Sequence, residues 1–340
     1  MGPVTGLRVG LTAPARHRRP AWVPQRTATA VVMLFGGLRE GLFHLGLPVP
    51  PGNGTLSQDH GELMVLGFLG TLIALSARVA LGETWGYLAP AAADAGGLAI
   101  VAGAPGEVGQ ALIGCGGLAL VAIFAAVHRI QPSLHNVVLA AAALCRVVSD
   151  GLWIAGWDIS KFVPWLVGFL VLTIAGERLE LSRMTGDGCS SPPPGCLPPA
   201  CSPPLKAGPS PATPGEAVPP GIRITGAGLI ALSLWPARYD IACRTIRGHG
   251  VTRYMAAALL TGLRVAGRRG GLWADVGQMA DVAGQGARGG ACDAELHAIF
   301  LGFVMSMIFA HAPVIVPSVL GRPLPFAATC TSRSRCCTPR

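Results

Sequence analysis

The chain has 340 residues, of which 51% are hydrophobic and 13% are charged, and its mean hydropathy is +0.52. Soluble domains carry about 25% charged residues, so the composition excludes an ordinary soluble globular protein and indicates a membrane protein. The formal net charge of +9 does not indicate a nucleic-acid partner, because most lysines and arginines lie in tails and loops, where they orient a protein in a membrane.

The first half of the chain follows a basic tail. Residues 1–27 are rich in Arg and Pro and are predicted to be disordered; no small-residue cleavage site follows the first apolar run, which argues against a signal peptide. Residues 28–184 are predicted to form the first half of a transmembrane bundle, because apolar runs of about 20 residues match a bilayer core roughly 30 Å thick. The runs are 28–47, 61–81, 87–104, 108–128, 134–156 and 162–181.

The second half follows a Pro-rich loop at 185–221 and is predicted to occupy residues 222–326. Apolar runs at 222–235 and 295–320 bound it, and a further span is expected between them. Residues 327–340 are predicted to form a disordered tail. The whole pattern predicts an all-α fold, a polytopic transmembrane helical bundle of about 8–10 spans that is surrounded by the lipid bilayer.

Basic residues predict how the bundle is oriented. If the first six spans alternate, the Arg-rich N-terminus, Arg78, Arg129 and Arg183 fall on one side, which the positive-inside rule makes cytoplasmic. The basic loop 237–253 is predicted to lie on the same side. The expected location is therefore the bacterial inner membrane, with several passes and a cytoplasmic N-terminus.

A single span at 222–235 cannot join Arg183 to the loop 237–253 if both lie on the same side, so a helix is missing from the pattern. Two interpretations stay open. The Pro-rich stretch is a real disordered loop, or it is translated in a shifted reading frame, because Cys, Ser and Pro codons become codons for mostly apolar residues when they are shifted. Residues 262–271, with three arginines inside a predicted span, and the tail 328–340 show the same pattern.

Two histidines at the starts of predicted spans are candidate metal ligands. His60 and His297 both lie on the predicted non-cytoplasmic side, at matched depth. Two imidazoles that face each other across a gap are what six-coordinate haem iron needs, and imidazole also binds copper and zinc. In the alternative interpretation, each histidine is an interfacial polar residue near a helix start.

His311 lies deep inside the last predicted span, where an ionisable residue marks a candidate functional site. It follows His297 by fourteen residues, which is about 21 Å along the same helix face, so the two histidines predict separate sites at different depths. In the alternative interpretation, His311 is buried and bonded to a neighbouring backbone carbonyl.

Three stretches of the chain resemble an uncharacterised family of bacterial polytopic membrane proteins. That family is similar, more distantly, to the NnrS family of haem- and copper-containing membrane proteins. The stretches are HGELMVLGFLGTLIAL at 60–75, FLVLTIAGERLELSR at 169–183 and LHAIFLGFVMSMIFAHAPVIVP at 296–317.

The resemblance to NnrS implies an inner-membrane protein that binds haem b or copper through His60, His297 and His311. It also implies a role in nitric-oxide or respiratory metabolism, with a partner in the respiratory chain. The closely spaced ligand pair of the haem–copper oxidases is absent from the sequence, which argues against oxygen reduction. No reaction is assigned, and no catalytic residue is predicted.

Two other functional interpretations stay open. A transporter or channel would need broken helices and a polar site at mid-membrane depth in paired halves, and no internal repeat is recognised in the sequence. A structural or assembly partner of respiratory complexes would need neither broken helices nor a polar site at mid-membrane depth. The sequence contains no Walker loop, nucleophile elbow, HExxH motif or dinucleotide fingerprint.

Overall fold

The computed structural model describes residues 22–44, 46–50, 56, 59–184, 220–239, 242–275 and 296–320. These residues form an all-α helical bundle, as the sequence predicts, and no β-strand occurs among them. The predicted C-terminal tail and nearly all of the N-terminal tail and the Pro-rich loop lie outside the described residues, so those predictions stay predictions.

The first half of the bundle contains six helices, most of them joined by short connections. The first helix begins at Trp22, inside the predicted tail, and tolerates Pro24 because a proline in the first helical turn removes no intrahelical hydrogen bond. The second helix ends at Gly82, whose φ of 77° lies in the left-handed region that glycine adopts without strain. The helices are α1 (Trp22–His44), α2 (His60–Leu81), α3 (Leu88–Val101), α4 (Gly106–Ile130), α5 (Leu134–Ile154) and α6 (Ile159–Met184).

The described residues of the second half form three further long helices: α7 (Pro220–Tyr239), α8 (Gly250–Asp275) and α9, which spans 296–320. One helical turn, Ala242–Thr245, lies between α7 and α8. Helix α8 packs against both α7 and α9. The two halves meet where α6 packs against α7 and where α1 approaches α9.

Small residues let neighbouring helices approach closely. A Cβ added to Gly96 of α3 would lie 2.6 Å from the carbonyl oxygen of Gly109 in α4. At the α7–α8 crossing, a Cβ on Gly226 would lie 2.7 Å from the carbonyl oxygen of Gly270. Backbone-to-backbone packing of this kind is typical of helix pairs in membranes, where small residues line the contacts.

The arginine-containing segment 262–271 lies inside α8 and is packed there as translated. Its small residues face the bundle: Ala266 is fully buried and Gly270 contacts α7. Arg264 and Arg268 lie on the exposed face of the same helix. The segment is therefore an amphipathic helix in this fold, and the reading-frame hypothesis for it stays a hypothesis.

Two helices contain π-helical segments, in which backbone hydrogen bonds run from residue i to i+5. The segments are Leu63–Leu69 in α2 and Ala298–Val304 in α9, one in each half of the bundle. Their sequences, LMVLGFL and AIFLGFV, both carry Leu-Gly-Phe at the fourth to sixth positions. Segments of this kind are rare and frequently mark functional sites.

Candidate functional site

The described residues include four helices that are long and apolar enough to cross a membrane. They are His60–Leu81, Gly106–Ile130, Leu134–Ile154 and Lys161–Glu180. Shorter apolar stretches occur in α7 and α9, at Arg223–Trp235 and Ala298–Pro313. The most unusual feature of these apolar helices is a charged pair inside α5.

That pair is Arg146 and Asp150, one helical turn apart. The relative exposure of Arg146 is 0% and that of Asp150 is 2%. The Nε atom of Arg146 lies 3.5 Å from Oδ2 of Asp150, and its Nη2 atom donates to the carbonyl oxygen of Leu66 at 3.3 Å. The guanidinium carbon also lies 5.7 Å from the centre of the Phe169 ring in α6. The side chain of Arg146 therefore joins α5 to the π-helical segment of α2 and to α6.

Two glycines make room for the charged pair. A Cβ on Gly70 of α2 would overlap with Nη1 of Arg146. A Cβ on Gly117 of α4 would overlap with Oδ2 of Asp150. Both side chains thus pack directly on the backbone of a neighbouring helix, and any larger residue at either position must displace them.

Several polar atoms at this level of the bundle lack a hydrogen bond. Within the described part of the chain, Nη1 of Arg146 and both carboxylate oxygens of Asp150 have no hydrogen-bond partner. The same is true of the buried hydroxyls of Thr71 and Ser149. At 3.5 Å the arginine and the carboxylate form an ion pair that is longer than a charge-assisted hydrogen bond of about 2.7–2.9 Å. Buried polar groups without partners are costly, so this cluster requires a physical explanation.

A second polar contact joins the same two helices nearer to one end. The indole Nε1 of Trp153 in α5 donates to Oδ1 of Asp59 at 3.1 Å, just before α2 begins. Burial raises the pKa of the Asp59 carboxyl, while this hydrogen bond and the nearby His60 lower it in part. Glu62, which is buried, lies between Asp59 and Leu66 along α2. Polar contacts therefore join α5 to the α2 segment at two levels, Trp153 with Asp59 and Arg146 with Leu66.

The structure places His60 and His297 at the start of the two π-helical helices. His60 is the first residue of α2, His297 directly precedes the π-helical segment of α9, and both are partly buried. When the two segments are aligned on Leu-Gly-Phe, His297 matches Glu62, and His60 falls two residues earlier. The prediction that His60 and His297 face one cavity stays a prediction.

Both ring nitrogens of His311 are engaged in hydrogen bonds. Its Nδ1 atom lies 2.6 Å from the carbonyl oxygen of Met307, and Arg178 of α6 donates to its Nε2 atom. The contact with a neighbouring carbonyl is the one expected in the alternative interpretation of His311. A metal at Nε2 would have to displace Arg178.

Among the residues that the structure describes, no group of three or more His, Cys, Asp or Glu side chains is arranged to hold a metal ion. Haem needs only two axial ligands from the protein, so the haem prediction for His60 and His297 stays a prediction. Arg146 and Asp150 were not among the site residues predicted from the sequence. The available signal was an Arg and an Asp four residues apart in the middle of an apolar run.

A family model described as a domain of unknown function (DUF8744) matches residues 23–333 of the chain. No curated protein matches, and no solved structure matches.

Proposed function

The chain belongs to the family described as a domain of unknown function (DUF8744), and since that description assigns no activity, we propose a function from the geometry of the chain itself. The protein is an integral membrane protein of the transporter or channel class, and the Arg146–Asp150 pair is its polar site. The observation that carries this proposal is a fully buried arginine, paired with a carboxylate, in the middle of an apolar helix.

The outer surface of the bundle supports a bilayer as its surroundings. Large apolar side chains point outward along the long helices, where water would disfavour them and lipid would not. Helix α4 exposes Leu118, α5 exposes Leu144 and α9 exposes Phe309. The glycine-mediated crossings of α3 with α4 and of α7 with α8 fit the same environment. The proposed location is the bacterial inner membrane, with several passes and a cytoplasmic N-terminus.

The depth of the charged pair supports transport. Arg146 lies 12 residues after Leu134 and 8 residues before Ile154, so it is about 18 Å from one end of α5 and 12 Å from the other. An ionisable residue at such a depth is expensive and typically marks the path of an ion or solute.

The two π-helical segments support the same class of function. Transporters commonly consist of paired halves, with helices that depart from regular α geometry beside the binding site. Here each half contains one such segment with a shared Leu-Gly-Phe, and the carbonyl of Leu66 in the first segment accepts a hydrogen bond from Arg146.

Flux measurements in proteoliposomes test the proposal. Glycerol, urea, sodium formate and ammonium chloride are offered in stopped-flow light scattering, and protons are followed with pyranine inside the vesicles. At least one of these probes should cross faster than in protein-free liposomes, and Arg146→Gln should remove the difference. The proposal is wrong if no probe crosses faster in the presence of the folded protein.

A second candidate function is haem or copper binding of the NnrS type, with a respiratory-chain partner. The observation that favours it is the position of His60 and His297, each partly buried at the start of a helix that becomes π-helical. Protein purified after haem-replete expression should then show a Soret band that disappears in His60→Ala and His297→Ala. A spectrum without that band removes the haem candidate and leaves the transporter proposal intact.

A further inference from the structure

We propose that the species bound at the buried pair is a proton, and that the carboxylate of Asp150 is its binding site. This inference rests on the proposed transport function and names the substrate class for the same site. The inference follows from the packing around the pair, from the absence of hydrogen bonds to the described Asp150 oxygens and from the contacts that hold Arg146.

The packing leaves no room for a larger solute beside the charged groups. The Cα of Gly117 lies so close to Oδ2 of Asp150 that not even a methyl group fits between them. A methyl group on Gly70 would likewise overlap with Nη1 of Arg146. Buried interiors are close-packed, and a solute of several atoms would need both helices to move. A proton that binds to the carboxylate requires almost no additional space at the site.

Within the part of the chain that the structure describes, the buried carboxylate of Asp150 accepts no hydrogen bond that would stabilise its negative charge, and a bound proton would neutralise that charge. Neither of its oxygens accepts a hydrogen bond from any described residue, and its ion pair with Nε of Arg146 is 3.5 Å long. A buried carboxylate without hydrogen bonds is costly. The groups that face it are Gly114 and Gly117 from α4 and Arg146 from α5 itself.

Protonation of Asp150 removes the counter-charge of Arg146, as Asp150→Asn does, but two other contacts of Arg146 do not depend on that charge. Protonation converts the carboxylate to a carboxylic acid, forms one O–H bond and breaks no bond within the protein. The guanidinium stays charged and keeps its hydrogen bond to the Leu66 carbonyl and its position near the Phe169 ring. The proton leaves by the reverse step, and the Asp150 carboxylate then again supplies the counter-charge of Arg146.

Polar groups at the α2–α5 interface connect the site to the end of the bundle. Asp59 lies at the start of α2 and accepts a hydrogen bond from Trp153, which is one turn along α5 from Asp150. Glu62 lies one turn further into α2 and is buried at the level between Asp59 and Leu66. Asp59, His60 and Glu62 are titratable side chains at this end of α2, and they offer a proton a stepwise entry.

Proton flux in pyranine-loaded proteoliposomes tests the inference. An imposed pH step with valinomycin and potassium should give faster proton entry with the wild-type protein than in protein-free liposomes. Asp150→Asn should reduce the rate to that of the protein-free liposomes. Asp158→Asn is the matched control, because Asp158 is an exposed aspartate in the α5–α6 connection, and it should conduct like the wild type.

A charge-neutral double variant guards against misfolding. Asp150→Asn alone leaves Arg146 as an uncompensated buried charge and can unfold the protein, whereas Arg146→Gln with Asp150→Asn removes both charges together. The double variant should fold and fail to conduct protons. A folded double variant with wild-type proton flux overturns the inference. Wild-type protein that passes another solute but no protons also overturns it and leaves the proposed transport function standing.

Discussion

Arg178 of α6 donates a hydrogen bond to Nε2 of His311 in α9, although the two residues are 133 positions apart in the sequence. The other ring nitrogen of His311 is bonded to the carbonyl of Met307, so the imidazole is held from both sides. Arg178 lies in α6, the last helix of the first half, and His311 lies in α9, the last described helix of the second half. This hydrogen bond therefore joins the two halves of the bundle.

His311→Ala should destabilise the fold, because it leaves the nearly buried Arg178 without this acceptor. Loss of a hydrogen bond to a buried charged group costs about 1.5–3 kcal/mol. The midpoint of thermal unfolding in detergent measures the effect. His249→Ala, at an exposed histidine between α7 and α8, is the control and should leave the midpoint unchanged. Equal midpoints for both variants would show that the contact contributes nothing.

Gly117→Ala should be destabilising, because its methyl group overlaps with the Asp150 carboxylate and must displace the charged pair. Overpacking of a buried site typically costs about 1–3 kcal/mol. Gly151→Ala is a matched control on α5: a Cβ there meets no atom within 4 Å. That control should be neutral or slightly stabilising, since alanine favours a helix more than glycine does. Thermal unfolding of the two variants compares them directly, and a neutral Gly117→Ala would contradict the packing described for Asp150.

Gly226→Ala should weaken the crossing of α7 with α8. Its Cβ would lie 2.7 Å from the carbonyl oxygen of Gly270, and a backbone atom cannot rotate away as a side chain can. Gly271→Ala places a methyl group on the same helix pair with no atom within 4 Å. Limited proteolysis of the two variants should show earlier cleavage near α7 and α8 for Gly226→Ala alone. Identical digestion patterns would indicate that the two helices separate easily.

Trp153→Phe should change how stability depends on pH. The pKa of Asp59 in the fold is raised above its ordinary value of 3.8, so the protonated form favours the fold and stability is lost as pH rises through that interval. Removal of the indole hydrogen bond raises the pKa further and extends the loss to higher pH. Unfolding midpoints measured from about pH 4 to 7 should therefore fall more steeply in the variant. Trp85→Phe, at an exposed tryptophan, should follow the wild-type curve.

The basic loop 237–253 should be cytoplasmic because of its cluster of arginines. An alkaline-phosphatase reporter, which is active only outside the cytoplasm, should be silent when fused after Arg247. The same reporter fused after Ala104, in the connection between α3 and α4, should be active. Strong activity at Arg247 would reverse the proposed orientation.

The helices were predictable from the sequence because each apolar run is long and is bounded by Gly, Pro or charged residues. The predicted run 134–156 corresponds to α5 at Leu134–Ile154, and 108–128 corresponds to α4 at Gly106–Ile130. In both cases hydrophobicity and helix breakers act locally, so neighbouring residues alone determine the bounds.

The polar site was not predictable in the same way. Its contacts join Arg146 to a backbone carbonyl 80 positions away, and they depend on glycines in two other helices. No pattern of nearby residues in the sequence indicates which helices pack against each other. The same reason applies to His311, whose partner Arg178 lies in a helix that sequence spacing does not bring near it.

Helix α8 carries Arg264 and Arg268 on its exposed face, near the middle of a helix that runs from Gly250 to Asp275. In a thick hydrocarbon layer both guanidinium groups would have to reach a distant headgroup region, and the lipid would have to deform around them. A bilayer with shorter acyl chains brings phosphate and water closer to these two positions. If α8 lies in a bilayer as the proposed function requires, the acyl-chain length of the host membrane becomes a determinant of how stable the second half of this bundle is.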